Sequence, residues 1–171
     1  MSARLILCGA LTLITQPVSA IPPALPPPPA EAMAIAVDLW RVSPIDESER
    51  SAALRTALSY LSTEALTRAG AENDRDYYLA HAALIERLAQ RANNAQTQLN
   101  TLAVECLATP LAYSMTVRQL TDLREFVASE SGRAFWRMHT RLRLVECLKS
   151  GLASVMSREI DADVVQARAA S

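Results

Sequence analysis

The sequence has little of the material from which sheets and phosphate-binding loops are built. Only four of its 171 residues are glycine and 5% are aromatic, so tight turns and stacked strands have few of their usual residues. It contains no Gly-x-Gly-x-x-Gly or Walker pattern, which leaves nucleotide binding without support. These absences favour an all-α fold.

Neither sign of charge is in excess. Seventeen basic and 18 acidic residues give a net charge of −1, which argues against bulk binding of nucleic acid. Lys149 is the only lysine, and the arginines are mixed with acids as on a solvated helical surface. We therefore expect no nucleic-acid partner.

Residues 1–20 have the three parts of a secretory signal peptide. Arg4 is the positive start, Leu5 to Thr15 is an uncharged apolar run, and Val18-Ser19-Ala20 ends in small residues. We predict cleavage after Ala20 and a periplasmic or secreted protein. A run of about 11 residues is half of what a bilayer core needs, and no later hydrophobic segment is long enough to cross one, so no stable membrane insertion is expected after cleavage.

The rest of the chain divides by composition. Residues 21–30 contain six of the nine prolines and predict an extended, proline-rich linker. Apolar residues at helical spacing predict a single helical domain over 31–160. Residues 161–171 have no apolar stripe, so we expect a frayed tail.

The helical domain is predicted to be an irregular bundle of about five helices. Its long third helix, with an apolar stripe from His81 to Cys106, is expected to pack on a C-terminal helical hairpin. The predicted limits are Ala30 to Pro44, Asp46 to Gly70, about His81 to Pro110, Thr116 to Ser129, and Gly132 to about Arg158.

The last of these helices is apolar over a wide arc, which predicts a central position with other helices around it. Its predicted stripe consists of Phe135, Met138, Leu142, Val145, Leu148, Leu152 and Val155, with a second edge of Trp136, Leu144, Cys147 and Gly151. Trp40 of the first helix is predicted to fill the core.

Three cysteines become two if Cys8 leaves with the signal peptide. In an oxidising compartment we expect Cys106 and Cys147 to form a disulfide, which would stabilise the fold by about 4 kcal/mol. The alternative is a zinc site that adds His81 and His139. No ligand pair has the spacing typical of zinc sites, so we predict no metal and no other cofactor.

Catalytic patterns occur only as fragments. Lys149-Ser150-Gly151 and Ser131-Gly132 resemble parts of serine-enzyme motifs, but Glu146 stands where a Ser-x-x-Lys pair would need serine. We assign no catalytic residue. The alternative function is a periplasmic hydrolase that uses His139 with nearby serines and acids.

Residues 116–134 resemble the family called domain of unknown function 2059, a set of small exported bacterial helical proteins. The matching residues are Thr116, Gln119, Leu120, Leu123, Phe126, Ser129 and Gly132. Gln119 replaces the family's glutamate, and Val127, Glu130 and Ala134 depart from its tyrosine, proline and lysine. The resemblance implies a helical fold and export, and it implies no activity.

We therefore expect a non-catalytic exported module that binds a protein, a peptide or an envelope component in a groove between helices. The motivation is a broad apolar surface without a cluster of polar side chains. A homodimer is a further expectation, in which the stripe from Leu99 to Cys106 would meet its own copy.

Overall fold

The computed structural model describes residues 26–71, 73 and 75–170. The predicted signal peptide and its cleavage site lie outside these residues. The described residues form seven α-helices and no strand, so the all-α prediction is confirmed. The helices are α1 (Ala30–Val42), α2 (Glu47–Arg68), α3 (Tyr77–Asn94), α4 (Gln96–Ser114), α5 (Val117–Ala128), α6 (Glu130–Met156) and α7 (Ile160–Ala169).

Both predicted ends of α2 are confirmed. The Asp46 carboxylate accepts the backbone N–H of Ser48 at 2.8 Å and caps the first turn. Gly70 has a φ of +67°, the left-handed conformation that glycine adopts without a Cβ penalty. The Ala71 N–H then bonds back to the carbonyl of Leu66, which closes the helix end.

The predicted long helix is divided, because α3 ends at Asn94 and α4 begins at Gln96. Ala95 lies between them with φ −103° and ψ 16°, next to two asparagines that are weak helix formers. The prediction that Pro110 ends the run is also wrong, since α4 continues to Ser114. Leu107, Ala108 and Ala112 are buried on either side of the proline, and this packing holds the last turn in place.

The helix α6 is the centre of the bundle and packs against α2, α4 and α5. Leu148 and Leu152 are buried as predicted, but Phe135 is 47% exposed and Met138 is 70% exposed. The first two residues of the predicted stripe therefore face solvent. Gly132, Trp136 and Leu144 face the core instead. The centroid of the Trp136 ring lies 5.1 Å from the centroid of the Trp40 ring.

The frayed tail was a wrong prediction. The helix α7 packs on α3 and α2, and it buries Ile160, Val164 and Ala167. Its Asp163 is 2% exposed and forms two hydrogen bonds with the Arg91 guanidinium, at 2.6 and 3.0 Å. Ile160, Val164 and Ala167 follow at steps of four and three residues, so a short apolar stripe that begins before residue 161 holds α7 in place.

Within the described residues, no helix combines the length and the apolar character needed to cross a bilayer.

Candidate functional site

The two cysteines lie at the contact between α4 and α6. Their sulfur atoms are 2.07 Å apart and their Cα atoms 5.6 Å apart, which is disulfide geometry. At Gly151 of the same contact, a Cβ would lie 3.5 Å from Leu99, an ordinary van der Waals distance. The stripe offered above for a homodimer is thus used within the chain, because Leu99 and Ala103 are both buried.

The four residues of the alternative zinc site do not meet. Cys106 and Cys147 are bonded to each other, and His81 hydrogen-bonds through Nε2 with Thr63 Oγ1 at 3.2 Å. In the part of the chain that the structure describes, no three His, Cys, Asp or Glu side chains are grouped to hold a metal ion.

His139, the residue of the alternative hydrolase, is exposed on α6. Its ring stacks on Phe135 at a centroid distance of 3.9 Å, and Nδ1 donates to the Phe135 carbonyl at 3.1 Å. Because a carbonyl only accepts, this bond places the proton on Nδ1. No serine hydroxyl or carboxylate bonds the ring among the described residues, so the arrangement lacks both a nucleophile and an orienting acid.

Lys149 has a structural role. Its ammonium donates to Glu64 at 2.8 Å and so links α6 to α2. This hydrogen bond is the main cause that raises the pKa of Lys149 above its ordinary value, and burial opposes it. The amine therefore stays protonated at neutral pH, which is the wrong state for the base of a serine enzyme.

The contact between Thr63 and His81 brings together a hydroxyl and an imidazole that no sequence motif indicates, since they lie on different helices. The same Nε2 atom is 3.4 Å from the carbonyl of Ser59, and the ring stacks on Tyr77 at 5.8 Å. No acid orients Nδ1 among the described residues. The pair holds α3 against α2.

The family-like segment forms the corner between α5 and α6, as predicted. Thr116 and Gln119 make a reciprocal capping box at the start of α5. Ser129 ends α5, and its hydroxyl accepts the Gly132 N–H at 3.0 Å to start α6. A Cβ at Gly132 would lie 1.9 Å from the Phe126 carbonyl oxygen, so only glycine fits this corner.

Beside this corner, large apolar side chains face solvent. Phe126 of α5 is 45% exposed and its ring meets Phe135 at 6.0 Å, edge to face. Met138 lies one turn further along α6 and is the most exposed of the three. We call Phe126, Phe135 and Met138 the outward face. Phe126 and Leu120 both belong to the family-like segment, but only Leu120 is buried.

Exposed polar side chains flank the outward face on both sides of α6. Arg137 and Arg141 lie on one side and His139 lies on the other, whereas Arg143 lies near the direction of Trp136, and all four are exposed. None of the three arginines forms a salt bridge with an acid among the described residues, but Arg137 adds to the lowering of the Asp46 pKa by the Ser48 hydrogen bonds. This combination of exposed arginines and exposed aromatics is the most distinctive surface feature of the described chain.

A shallow groove beside Trp40 is the second candidate surface. It consists of cavities of about 110, 190 and 400 Å³ that share Asn100 in their walls, the first two beside α2 and α4 and the third between α1 and α4. A hydrogen bond of 2.6 Å from Arg50 to Asn100 crosses the groove. The first two cavities are smaller than the roughly 300 Å³ typical of small ligand sites. The groove therefore supports ligand binding less well than the outward face does.

Comparison of the chain with protein-family models, curated proteins and solved structures gave no match. The resemblance of residues 116–134 to the domain of unknown function 2059 family stays a prediction.

Proposed function

We propose that this chain is an exported, non-catalytic binding module, and that the outward face is its contact surface. The observation that carries the proposal is the exposure of Phe126, Phe135 and Met138 on adjacent helices. Soluble proteins rarely leave clustered large apolar side chains in water unless a partner covers them. In this proposal α5 and α6 form the C-terminal helical hairpin that presents the surface.

The local architecture supports a contact role. The corner is fixed by the Ser129 cap and by the Gly132 close approach, so the two phenylalanines are held in one relative position. A preorganised surface loses less conformational entropy on binding than a mobile one. The fold thus presents the phenylalanines on rigid elements.

Export is the second part of the proposal. The N-terminal pattern supports it, and the disulfide geometry of Cys106 and Cys147 fits an oxidising compartment. Expression of the full chain in a Gram-negative host should yield periplasmic protein that begins at Ile21, which N-terminal sequencing and intact mass would measure. Cytoplasmic protein with an intact N-terminus would contradict this part.

The contact surface is tested by photo-crosslinking in intact cells. A photoreactive amino acid replaces Met138, and the matched control replaces Tyr78, which is 84% exposed on α3 and far from the corner in sequence. We expect discrete adducts at position 138 that are absent at position 78. Equal labelling at both positions would mean that the outward face has no partner.

A further inference from the structure

The outward face belongs to an α6 segment that is apolar on two opposite sides. Trp136 is 7% exposed and faces the core. At 3.6 residues per turn, Met138 lies about 200° around the helix axis from Trp136 and so faces away from the bundle. Phe135 lies between the outward and the lateral direction. Only one of the two apolar sides of this α6 segment packs against other helices.

The flanking cations follow from the same geometry. Arg141 comes three residues after Met138 and lies next to the outward face, whereas Arg143 comes seven residues after Trp136 and lies on the same side of the helix as that ring. Residues 130–143 contain four arginines and one glutamate, although the whole chain has a net charge of −1. The basic residues are thus concentrated around the exposed apolar side chains.

We propose that this face docks on an anionic phospholipid surface, with Phe126, Phe135 and Met138 entering the headgroup region and the arginines contacting phosphates. The proposal rests on the binding role proposed above and names the partner. An interfacial membrane-binding helix has an apolar exposed face with aromatic side chains and with arginines or lysines beside it. This segment of α6 has these features.

Four acidic residues lie on the same stretch of α5 and α6 as the face, and they are Asp122, Glu125, Glu130 and Glu146. The same stretch, residues 118–146, contains six arginines. The local charge is therefore positive, which is complementary to a negative surface.

The shape of the face favours lipid over an acidic protein. Phe135 and Met138 project from a convex helix, and none of the cavities described above is lined by them or by Phe126. Protein hot spots pair an anchor with a well-packed pocket, whereas a fluid bilayer accepts protruding side chains without one. The face has anchors and no pocket.

The test is flotation of the full-length gene product, in the processed form recovered after export, with two kinds of vesicle. One is phosphatidylcholine alone, and the other contains phosphatidylglycerol. We expect binding to the anionic vesicles that weakens as salt rises. The double variant R137Q/R141Q should bind about 25-fold more weakly, since each arginine near such a surface contributes about a fivefold factor.

Matched variants separate the two parts of the face. Phe135→Ser with Met138→Ser should reduce vesicle binding at least tenfold. Leu79→Ser and Arg55→Gln change equally exposed residues elsewhere and should leave binding unchanged. Circular dichroism melting curves show that each variant is folded. If the face variants bind vesicles as the wild type does, the proposal is overturned.

A binding experiment with polyglutamate tests the alternative partner, an acidic polypeptide. Binding to polyglutamate with the same affinity as to vesicles, unaffected by the change at Phe135 and Met138, would overturn the lipid assignment in favour of an acidic polypeptide. Failure of the vesicle experiment together with protein adducts at position 138 would leave the binding role intact. Failure of both would remove the binding role as well.

Discussion

The helix α7 and the first half of α6 show opposite relations between sequence pattern and burial. The α7 sequence has only a short apolar stripe, yet its members Ile160, Val164 and Ala167 are all buried against the bundle. The α6 sequence has a regular stripe, yet Phe135 and Met138 face solvent. A pattern of apolar residues identifies an apolar side of a helix, but it does not say whether another helix covers that side.

Charged residues differ in the same way between the two regions. Asp163 of α7 is buried and bound to Arg91, whose pKa is raised above its ordinary value chiefly by that hydrogen bond. Arg137, Arg141 and Arg143 of α6 have no acid bound to them within the described chain. The buried charge of α7 is paired within the chain, whereas the exposed charges of α6 are accessible to a partner.

The largest expected effect is loss of the crosslink that anchors α6 to α4. The free energy of unfolding of the double variant Cys106→Ser/Cys147→Ser should be about 4 kcal/mol lower than that of the wild type, because the loop between the two residues is no longer closed in the unfolded chain. Urea denaturation without reductant measures the difference. Free thiols in the non-reduced wild type, or equal stabilities, would count against the disulfide.

The next effect concerns the corner that presents the outward face. Gly132→Ala should cost about 3 kcal/mol, because the new methyl group would overlap the Phe126 carbonyl and force α5 and α6 apart. Gly151→Ala is the control in the same helix, since its Cβ would make only an ordinary contact with Leu99. The control should be as stable as the wild type or more stable, because alanine favours helix. Similar losses in both variants would refute the steric explanation.

The ion pair of α7 predicts an asymmetric result. Arg91→Ala leaves a buried carboxylate without a partner and should cost about 3 kcal/mol. Asp163→Ala leaves an arginine whose side chain is 40% exposed and can be hydrated, so the loss should be about 1 kcal/mol. Chemical denaturation of both variants gives the comparison. A larger loss for the aspartate variant would show that the pair is not what holds α7.

The smallest effect is a pH dependence at the start of α2. Hydrogen bonds from the Ser48 hydroxyl and backbone N–H lower the pKa of Asp46 from its ordinary 3.8. A carboxyl with a lowered folded-state pKa contributes stability above its unfolded-state pKa, and this contribution is lost as the pH falls through the folded value. Asp46→Asn keeps a good cap, so it should match the wild type at neutral pH and lose less stability below about pH 4. An unchanged acid slope would contradict this.

Local signals predicted the helix ends well. Asp46, Gly70, Thr116, Ser129 and Gly132 act through hydrogen bonds to residues within a few positions or through their own backbone conformation, and each was placed correctly. The effects of Asn93-Asn94 and of Pro110 on the helix were predicted wrongly. The break after Asn94 costs little free energy, and the backbone hydrogen bond lost at Pro110 is offset by burial of neighbouring residues.

The candidate site was predicted only in part. The motif at residues 116–134 indicates the corner itself. The exposure of Phe126 depends on the direction in which α6 runs relative to α5 after this corner. The hydrogen bond between Thr63 and His81 joins residues on separate helices, and nothing in their local sequence announces it. Contacts of this kind depend on the rotation of one helix relative to another.

The sequence by itself determined that the described chain is helical, where most of its helices begin and end, and which two cysteines could pair. These properties depend on the backbone preferences of nearby residues and on a count of side chains. Only the tertiary structure decided that α7 is packed and that one apolar side of α6 is left outside. The reason is that burial is a property of two surfaces together, and periodicity along one helix contains no information about the second surface.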